Sequence, residues 1–304
     1  MKAMILAAGF GTRLRPLTEK IPKALIPVAN LPLMERNIAL LKSWGIKDII
    51  INAHYLSEAI SNFASKLNDP DLNITVKTEN EILGTGGGIA NCADFLKDDT
   101  FVVFNGDILT DINIVTALKE HKENGSTATM ILHDRAPFNQ IVIDKNHKIL
   151  KIHRSRGSER LAFTGIQILE PEILNHIPNS RYSDIIKECY NPLVEAGENI
   201  MAHVVTGHYW FDLGTTDSYV EANRFLLKST GKKFLTGTGT RIPSDVSLKG
   251  WAVIGDNVRI GKGAVIERSI LWDNIQIGDK AVIKNCIITS SCEDNEVLSD
   301  KTVI

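Results

Sequence analysis

Residues 5–28 read ILAAGFGTRLRPLTEKIPKALIPV, and this stretch determines how the rest of the chain is interpreted. Its first residues end a short apolar run, which predicts a buried first strand. Gly9 and Gly11 follow, and glycines after a strand let backbone N–H groups approach a polyphosphate closely. Arg13 and Lys23 add the cationic donors that a phosphate under attack requires. The stretch therefore predicts a phosphate-binding loop directly after the first strand.

Two better-known phosphate-binding patterns do not fit this loop. The dinucleotide fingerprint would place a third glycine at position 14, where this chain has Leu14. The Walker pattern needs a glycine, a lysine and a hydroxyl residue together, and the stretch has no such combination. Taken alone, the stretch is therefore equally compatible with an ordinary strand, turn and helix whose arginines are solvated.

Strand-like and helix-like patterns alternate along the first 230 residues. The strand-like runs are Lys2–Ala7, Asp48–Ile51 and Thr100–Phe104, and the helical segments are Leu33–Trp44 and Leu56–Leu67. The alternation predicts an α/β fold with a Rossmann-like, mostly parallel mixed sheet flanked by helices. Ligands of such sheets bind at the carboxyl ends of the strands, so the residues after Ala7, Phe104 and Phe211 are expected to line a site.

The tail after residue 230 has a six-residue period. Its apolar positions are Ile242, Leu248, Ile254, Ile260, Ile266 and Trp272, after which the register loses one residue and resumes at Ile277 and Ile283. A six-residue period is that of a parallel β-helix with three hexads in each coil. The chain is therefore predicted to have two domains, residues 1–230 and residues 231–304. The flat faces of such a tail predict a homo-oligomer.

The opening stretch resembles the signature of the sugar-1-phosphate nucleotidyltransferases, G-x-G-T-R-L-x-P-L-T followed by P-K. Three further motifs similar to that family follow in the same order, LGTGGG at residues 83–88, NGD at residues 105–107 and FDLGT at residues 211–215. The resemblance covers the chain from Met1 to about Leu227. The tail resembles the left-handed β-helix that many members of the family carry.

The resemblance implies a reaction between a nucleoside triphosphate and a sugar 1-phosphate that yields a nucleotide sugar and pyrophosphate. Two anions must meet in that reaction, so Mg²⁺ held by hard oxygen ligands is expected. Asp107 and Asp212 match the family's metal-binding aspartates, and each follows an apolar run. Lys23 matches the lysine that stabilises the triphosphate and the transition state, and Arg13 matches the arginine that grips the phosphates. The expected catalytic residues are Arg13, Lys23 and Asp107.

The same resemblance assigns the substrate-binding residues. The nucleotide is expected to contact Leu6, Ala7, Ala8, Gly9, Gly11, Thr12, Arg13, Lys23, Glu79, Gly84 and Thr85, and the sugar phosphate Asn105, Thr164 and Gly165. Many relatives carry Glu-Lys-Pro on the sugar side, whereas this chain has a basic stretch there that contains Lys151, His153, Arg154, Arg156 and Arg160. The stretch either pairs with the sugar phosphate or an acidic sugar substituent, or it forms a solvated loop.

Glu79 carries the first prediction for the base. A carboxylate accepts two hydrogen bonds from the N1–H and N2–H₂ edge of guanine, whereas uracil offers one N–H between two carbonyls. This favours GTP, and mannose-1-phosphate guanylyltransferase as the activity. The string at Thr85–Ile89 instead resembles uridylyltransferases that act on N-acetylmuramate 1-phosphate, which is the alternative. A catalytically silent regulatory homologue is a third hypothesis, but such a copy has no need for the predicted catalytic and metal-binding residues together.

The composition limits the classes of partner. The formal net charge of −2 gives no support to binding of nucleic acid or of a membrane surface. No apolar run approaches the roughly 20 residues that span a bilayer, and the N-terminal run is too short for a signal peptide. The four cysteines are scattered, without a C-x-x-C pair, and predict reduced thiols in a cytoplasmic protein.

Overall fold

The structure, a computed structural model, describes residues 1–136, 138–153, 157, 160–178 and 181–303. Arg154 and Arg156 of the predicted basic stretch lie outside the described residues. The helices are α1 Leu33–Ser43, α2 Ser57–Lys66, α3 Gly84–Asn91, α4 Ala93–Leu96, α5 Val115–Glu123, α6 Asn191–Glu195 and α7 Thr216–Ser229. Short 3₁₀ turns span Thr12–Leu14, Leu17–Glu19, Lys23–Leu25 and Pro171–His176, and a π-helical turn spans Ile186–Tyr190.

The strands follow the same chain order. They are β1 Lys2–Leu6, β2 Pro27–Val28, β3 Leu31–Pro32, β4 Asp48–Ala53, β5 Asn73–Thr78, β6 Phe101–Asn105, β7 Ile108–Thr110, β8 Ala128–His133, β9 Ile141–Ile143, β10 Ile149–Ile152, β11 Ala162–Leu169, β12 Ile200–Val205, β13 Trp210–Asp212, β14 Phe234–Thr236, β15 Ser247–Ile254, β16 Arg259–Ile260, β17 Val265–Leu271, β18 Gln276–Ile277, β19 Val282–Lys284, β20 Ile287–Ile288, β21 Val297–Ser299 and β22 Thr302–Val303. The strands predicted at the N-terminus and around residues 50 and 100 are all present.

The chain forms two compact units. The first contains Met1–Phe10, Pro22–Ala24 and Arg36–Asp212, and the second contains Gly11–Ile21, Leu25–Glu35 and Leu213–Ile304. Each unit therefore collects segments that are distant in the sequence. Within the described ranges, no helix combines the length and the apolar character that a bilayer span requires.

The first unit is built on a seven-stranded sheet in the order β12-β8-β11-β6-β1-β4-β5. Strand β1 runs parallel to β4 and β6, β4 to β5, and β8 to β12, whereas β11 is antiparallel to both of its neighbours. The predicted α/β class, with a parallel-rich central sheet flanked by helices, is confirmed. The central strands are continuous apolar runs because a sheet covered on both faces buries every side chain.

The register of the central strands brings three strand ends together. Leu6, the last residue of β1, pairs with Asn52 of β4 on one side and with Asn105 of β6 on the other. The backbone N–H of Gly106 donates to the carbonyl of Leu6 at 2.9 Å, which fixes the turn that follows β6. The side chains that follow these strands therefore share one edge of the sheet.

The second unit contains a ladder of parallel strands in the order β14-β15-β17-β19-β21. Ser247 pairs with Val265, Val265 with Val282, and Val282 with Val297. Hydrogen bonds along the ladder join residues 18, then 17, then 15 positions apart. The six-residue series supplies the interior, because Ile254, Ile260, Ile266, Ile277 and Ile283 belong to one buried apolar cluster.

The assignment of Trp272 to the buried six-residue series was wrong. Leu271 pairs with Ile254 and with Ile288, is 1% exposed and belongs to the apolar cluster, whereas Trp272 is half-buried. The six-residue spacing shortens to five between Ile266 and Leu271, whereas the sequence pattern placed this shortening one repeat later, after Trp272. Leu271 brings no polar group into the interior of the ladder, while the indole of Trp272 has an N–H that needs a hydrogen-bond acceptor and donates to the Tyr219 hydroxyl.

Glycines of the ladder make room for aspartates of the next strand. The Asp273 carboxylate accepts a hydrogen bond from the backbone N–H of Asp256 at 2.7 Å, and a Cβ on Gly255 would collide with that carboxylate. The same arrangement recurs at Gly237 with Asp256 and at Gly261 with Asp279, whereas a Cβ on Gly278 would collide with the backbone of Glu293 and Asp294. The glycine is therefore required by the packing between neighbouring strands.

Helix α7 is tied into the second unit by Tyr219. The Tyr219 hydroxyl donates to the carbonyl of Pro27 at 2.7 Å and accepts from the indole N–H of Trp272 at 2.9 Å. A further bond runs from the Asn30 amide to the carbonyl of Ile254 at 2.7 Å. These bonds link an early segment, the helix and the ladder within one unit.

Candidate active site

A cavity of about 280 Å³ opens in the first unit, where β1, β4 and β6 end. It is called the main cavity below because most of the predicted site residues of this unit line it. Nine of the residues predicted to bind substrate or metal line it: Leu6, Ala7, Ala8, Gly9, Lys23, Gly84, Thr85, Asn105 and Asp107. The remaining lining residues are Ala24, Asn52, Ile82, Gly106, Tyr182 and Asp184. The cavity occupies the position at which parallel sheets bind their ligands.

The loop after β1 forms one wall of the cavity. The backbone N–H of Ala7 donates to Asn52 Oδ1 at 2.9 Å, so Asn52 holds the start of the loop against β4. A Cβ on Gly9 would meet no atom within 4 Å, so the backbone there faces open space. Backbone N–H groups with open space before them are suited to an anionic ligand.

Two carboxylates meet at the Lys23 ammonium on the edge of the cavity. Lys23 Nζ lies 2.5 Å from Asp107 Oδ2 and 3.8 Å from Asp212 Oδ1. Strand β13 pairs with β7 so that Asp212 lies opposite Ile108, and this register brings Asp212 to the neighbourhood of Asp107. All three side chains are partly shielded from water, which strengthens the attraction among them.

The donor set at this point fits a hard divalent cation. Asp107 and Asp212 offer carboxylate oxygens, and within the described part of the chain no group of three or more His, Cys, Asp or Glu residues is placed to hold a metal. A protein that offers two carboxylates suits Mg²⁺, which keeps several waters and takes its other oxygens from substrate phosphates. The residues present therefore match a metal bound together with a phosphorylated ligand.

Glu79 lies behind the cavity wall and is 3% exposed. One carboxylate oxygen accepts from the Asn52 amide at 2.7 Å, and the other accepts from the backbone N–H of Leu83 at 3.2 Å. Glu79 is not among the residues that line the cavity. Its position is that of a support for Asn52, so the sequence-based assignment of Glu79 to the base edge stays a prediction without a structural contact behind it.

The glycine string in α3 packs against the segment Arg181–Ile185. A Cβ on Gly86 would lie 2.7 Å from Ser183 Oγ, and a Cβ on Gly87 would lie 2.5 Å from the carbonyl of Arg181. The N–H of Gly86 donates to the Ser183 carbonyl at 2.8 Å. These glycines therefore serve a close contact between two parts of the protein, whereas Gly84 and Thr85 also line the cavity.

Thr164 and Gly165, the predicted sugar contacts, lie next to the site rather than in its lining. Thr164 is 1% exposed, its hydroxyl donates to the Ile131 carbonyl at 2.8 Å, and its carbonyl accepts from the Trp210 indole at 2.8 Å. Gly165 has a φ of +81°, and a Cβ there would meet the Asn105 side chain at 2.8 Å. Gly165 thus leaves the space in which Asn105 lies, and Asn105 itself lines the cavity.

The second half of the glycine loop belongs to the other compact unit. Gly11 adopts a left-handed conformation with φ of +64° before the 3₁₀ turn Thr12–Leu14, and its carbonyl accepts from the Thr18 hydroxyl at 2.9 Å. The Arg13 guanidinium lies against Gly214, where a Cβ would come within 2.9 Å of it. Gly11, Thr12 and Arg13 are therefore described within the second unit, and their predicted phosphate contacts stay predictions.

A second cavity of about 360 Å³ shares Asp184 with the first. Its polar lining includes Gln140, His153 and Lys187, and its apolar lining includes Phe163. Desolvation, followed by the positive charges of Arg160 and Lys151, lowers the pKa of His153 below its usual range. The cavity therefore has one basic side chain, Lys187, and one acidic side chain, Asp184, in its lining.

Sequence reasoning missed three polar side chains of the main cavity, Asn52, Tyr182 and Asp184. Asn52 was within reach, because it lies near the end of a predicted strand and the strand-end rule applies to it. Tyr182 and Asp184 carry no such signal. They reach the cavity because Ser183, which lies between them, is bonded to the start of α3, about 100 residues earlier in the chain. The Ser183 N–H donates to the Leu83 carbonyl at 2.8 Å.

Comparison with known proteins gives concordant results. A family model described as "Nucleotidyl transferase" matches residues 2–229, and one described as "GMPPB C-terminal domain" matches residues 231–303. A UTP–glucose-1-phosphate uridylyltransferase from Synechocystis sp. is 31% identical, with 90% of this chain and 83% of that protein covered. A mannose-1-phosphate guanylyltransferase from Mycobacterium tuberculosis is also 31% identical, with 89% and 79% covered. The solved structure of HddC from Yersinia pseudotuberculosis with GMP-PN shares the fold at a TM-score of 0.64 and 24% identity, over 74% of this chain and 99% of that one.

Proposed function

Since the chain belongs to the nucleotidyl transferase family, we propose that it converts a nucleoside triphosphate and a sugar 1-phosphate into a nucleotide sugar and pyrophosphate. The observation that carries the proposal is the meeting of Lys23, Asp107 and Asp212 at the edge of a cavity walled by the loop after β1. Two carboxylates and an ammonium beside exposed backbone N–H groups form a site for a polyphosphate and its counterion.

The reaction requires that two anions, the sugar 1-phosphate and the nucleoside triphosphate, bind next to each other. An oxygen of the sugar phosphate attacks the α-phosphorus in line, and pyrophosphate leaves with the bonding electron pair. Asp107 and Asp212 would hold Mg²⁺, which neutralises phosphate charge when bound. Lys23 Nζ would contact phosphate oxygens and stabilise the charge that develops on them.

Lys23 is held in position before substrate arrives. Its 2.5 Å contact with Asp107 fixes the ammonium at the cavity edge, so less side-chain entropy is lost when phosphates bind. A preorganised cation of this kind favours the transition state over the ground state. Lys23 is therefore assigned a catalytic role beyond simple binding.

For the base and the sugar, mannose-1-phosphate guanylyltransferase is the first candidate. Several relatives at about 30% identity bear that name, and their matches extend over most of this chain. Uridylyl transfer is the second candidate. The Synechocystis relative is named for UTP, and Glu79, on whose predicted contact with guanine the preference for GTP depends, is not among the residues that line the cavity.

The second cavity is proposed as the place of the sugar ring. It adjoins the main cavity at Asp184, and Lys187 Nζ lies 3.8 Å from the Asp184 carboxylate. A carboxylate and an ammonium side by side offer both an acceptor and donors to sugar hydroxyls. The described basic residues near His153 would attract a negatively charged substituent.

The organisation of the chain forms a separate part of the proposal. We propose a catalytic domain over residues 1–230 and a left-handed parallel β-helix over residues 231–304, supported by the parallel ladder and its nearly constant offset. The half-buried Trp251 would contribute to a homo-oligomer contact. Light scattering on the intact chain and on Trp251→Asp tests this, and a monomer in both samples would refute it. All four cysteines are buried free thiols, which fits a reducing compartment such as the cytoplasm.

The decisive experiment for the reaction measures pyrophosphate release from pairs of substrates. Five nucleoside triphosphates are combined with several sugar 1-phosphates, with Mg²⁺ and with a chelator in parallel. We expect one pair to dominate in kcat/KM and the chelator to abolish its turnover. Absence of metal-dependent pyrophosphate release from every pair would overturn the proposed function and favour a regulatory homologue.

A further inference from the structure

The segment Arg181–Ile185 is fixed on the first turn of α3 by four hydrogen bonds. The Ser183 carbonyl accepts from the N–H groups of Gly86 and Gly87 at 2.8 and 3.3 Å, and the Ser183 N–H donates to the Leu83 carbonyl at 2.8 Å. The N–H of Ile185 donates to Thr85 Oγ1 at 3.0 Å. Because backbone atoms make most of these bonds, the segment has a defined position that does not depend on its own side chains.

Tyr182 is carried on this segment and lines the main cavity beside Gly84, near the start of α3. Its ring lies so close to the Gly84 backbone that a Cβ on Gly84 would come within 3.1 Å of Cε2. The side chain nevertheless is 61% exposed and lines the cavity. An aromatic ring that is fixed at its base and exposed on its face offers a surface for another planar group.

The surroundings of Tyr182 differ from those of Lys23. Near the start of α3 the cavity is lined by the uncharged residues Ile82, Gly84 and Thr85. The nearby Asp184 carboxylate accepts from the N–H groups of Ile186 and Lys187, both at 3.0 Å, and so caps the following turn. The lining near the start of α3 is largely uncharged and includes an aromatic ring, which suits a nucleobase, while the lining at Lys23 and Asp107 suits its phosphates.

We propose that Tyr182 stacks on the base of the nucleoside triphosphate and that the fixed segment Arg181–Ile185 positions it for this contact. The proposal rests on the proposed function only in taking a nucleoside triphosphate as the ligand of the main cavity. Stacking tolerates any base, because every base has a π face. Tyr182 therefore contributes affinity for nucleotides, and the choice among bases comes from other contacts.

The test is equilibrium binding by titration calorimetry with the intact protein and Mg²⁺. The ligands are GTP, UTP and inorganic tripolyphosphate, which has the phosphates without a base. Tyr182→Ala is expected to weaken GTP and UTP by about 5-fold or more, the scale of one base–aromatic stack, and to leave tripolyphosphate unchanged. Tyr182→Phe should bind all three ligands as the wild type does, because a phenyl ring stacks equally well.

Ser183→Ala is the matched control. Its hydroxyl has no hydrogen-bond partner among the described residues, and the bonds that fix the segment come from its backbone. We expect unchanged binding of the three ligands. Thermal unfolding of each variant verifies the fold. Because Tyr182 is largely exposed, its truncation should leave the fold intact.

The possible outcomes separate this proposal from the proposed function. Equal losses for tripolyphosphate and the nucleotides, or no loss of nucleotide affinity at all, would each overturn the stacking role. A wild type that binds nucleotides but turns over no substrate pair would overturn the proposed function and leave the stacking result standing. A wild type that binds no nucleotide would overturn both.

Discussion

Glycines are crowded in two regions of this chain, the helix α3 and the ladder of the tail, but different neighbours crowd them. In the ladder, the space beside Gly255 is filled by Asp273, which follows the neighbouring strand β17, and the same pairing recurs at Gly237 and Gly261. In α3, the space beside Gly87 is filled by the carbonyl of Arg181, which lies far away in the sequence. A periodic contact leaves a period in the sequence, whereas a single long-range contact leaves only an unexplained glycine.

The two regions also differ in what the close packing achieves. In the ladder it satisfies backbone N–H groups with aspartate carboxylates and so stabilises the unit. In α3 it holds the segment that carries Tyr182 and Asp184 to the cavity. Substitutions in α3 should therefore change ligand binding or turnover, and those in the ladder should change stability.

The largest effect is expected at the charged edge of the cavity. Asp107→Ala should lower kcat by at least about 10²-fold at saturating Mg²⁺, since such a loss follows from removing electrostatic stabilisation of the transition state. Steady-state kinetics with the best substrate pair measures this. Asp98→Ala, which removes an exposed carboxylate, is the control and should keep wild-type turnover. Turnover near normal in Asp107→Ala would exclude it as a metal ligand.

The contrast between the two glycine regions predicts that one substitution in each region changes a different property of the protein. Gly87→Ala should weaken nucleotide binding because the added Cβ must displace the Arg181 carbonyl. Gly255→Ala should lower the free energy of unfolding by about 1–3 kcal/mol, the usual cost of overpacking, and leave nucleotide affinity unchanged. Calorimetric titration and denaturant unfolding on both variants test the pair. A loss of nucleotide affinity in Gly255→Ala as large as that in Gly87→Ala would abolish the distinction.

A smaller effect is expected at Glu79. Glu79→Gln replaces one of two accepting oxygens by a donor and weakens the support of Asn52. Because Glu79 lies behind the wall, GTP and UTP should lose affinity by the same factor, about 3- to 10-fold, the worth of about one hydrogen bond. A change in the ratio of the GTP affinity to the UTP affinity would instead indicate that Glu79 contacts the base directly.

The smallest effect concerns the buried thiols, among them Cys92, which directly follows α3, and Cys292 of the tail. Burial raises the pKa of Cys92 and of Cys189 to about 12, and burial together with the Glu296 charge raises that of Cys292 to about 11. At pH 8 the reactive thiolate is then scarce, so a thiol reagent should label the folded protein very slowly. Mass spectrometry after a labelling pulse should find Cys292 modified before Cys92. Equal rates at both sites would indicate that the two regions open together.

The sequence predicts the regular parts of the fold well, for a physical reason. Buried strands such as β1 and β6 are continuous apolar runs, and helix α1 ends one residue earlier than its pattern indicates. Most of the cavity lining follows from the rule that parallel strands place ligands at their carboxyl ends. These features depend on local patterns, which a single sequence displays.

The remaining features depend on contacts between distant segments. Tyr182 reaches the cavity only because Ser183 bonds to α3, and no local pattern encodes that pairing. The loss of register at Leu271 was misplaced because Trp272 also looked like an interior residue. The bonds of the Glu79 carboxylate to Asn52 and Leu83 are likewise contacts that a motif cannot reveal.

The bonds of Tyr219 have a consequence for biosynthesis. Its hydroxyl joins Pro27, translated early, to Trp272, translated near the end, and both belong to the second unit. The segment Leu25–Glu35 leaves the ribosome long before its partners in the ladder exist. At typical elongation rates it waits for roughly 12–50 s. During that interval the apolar residues of this segment, among them Leu25, Ile26 and Val28, lack their final neighbours, so a chaperone that holds the nascent chain would raise the yield of folded protein.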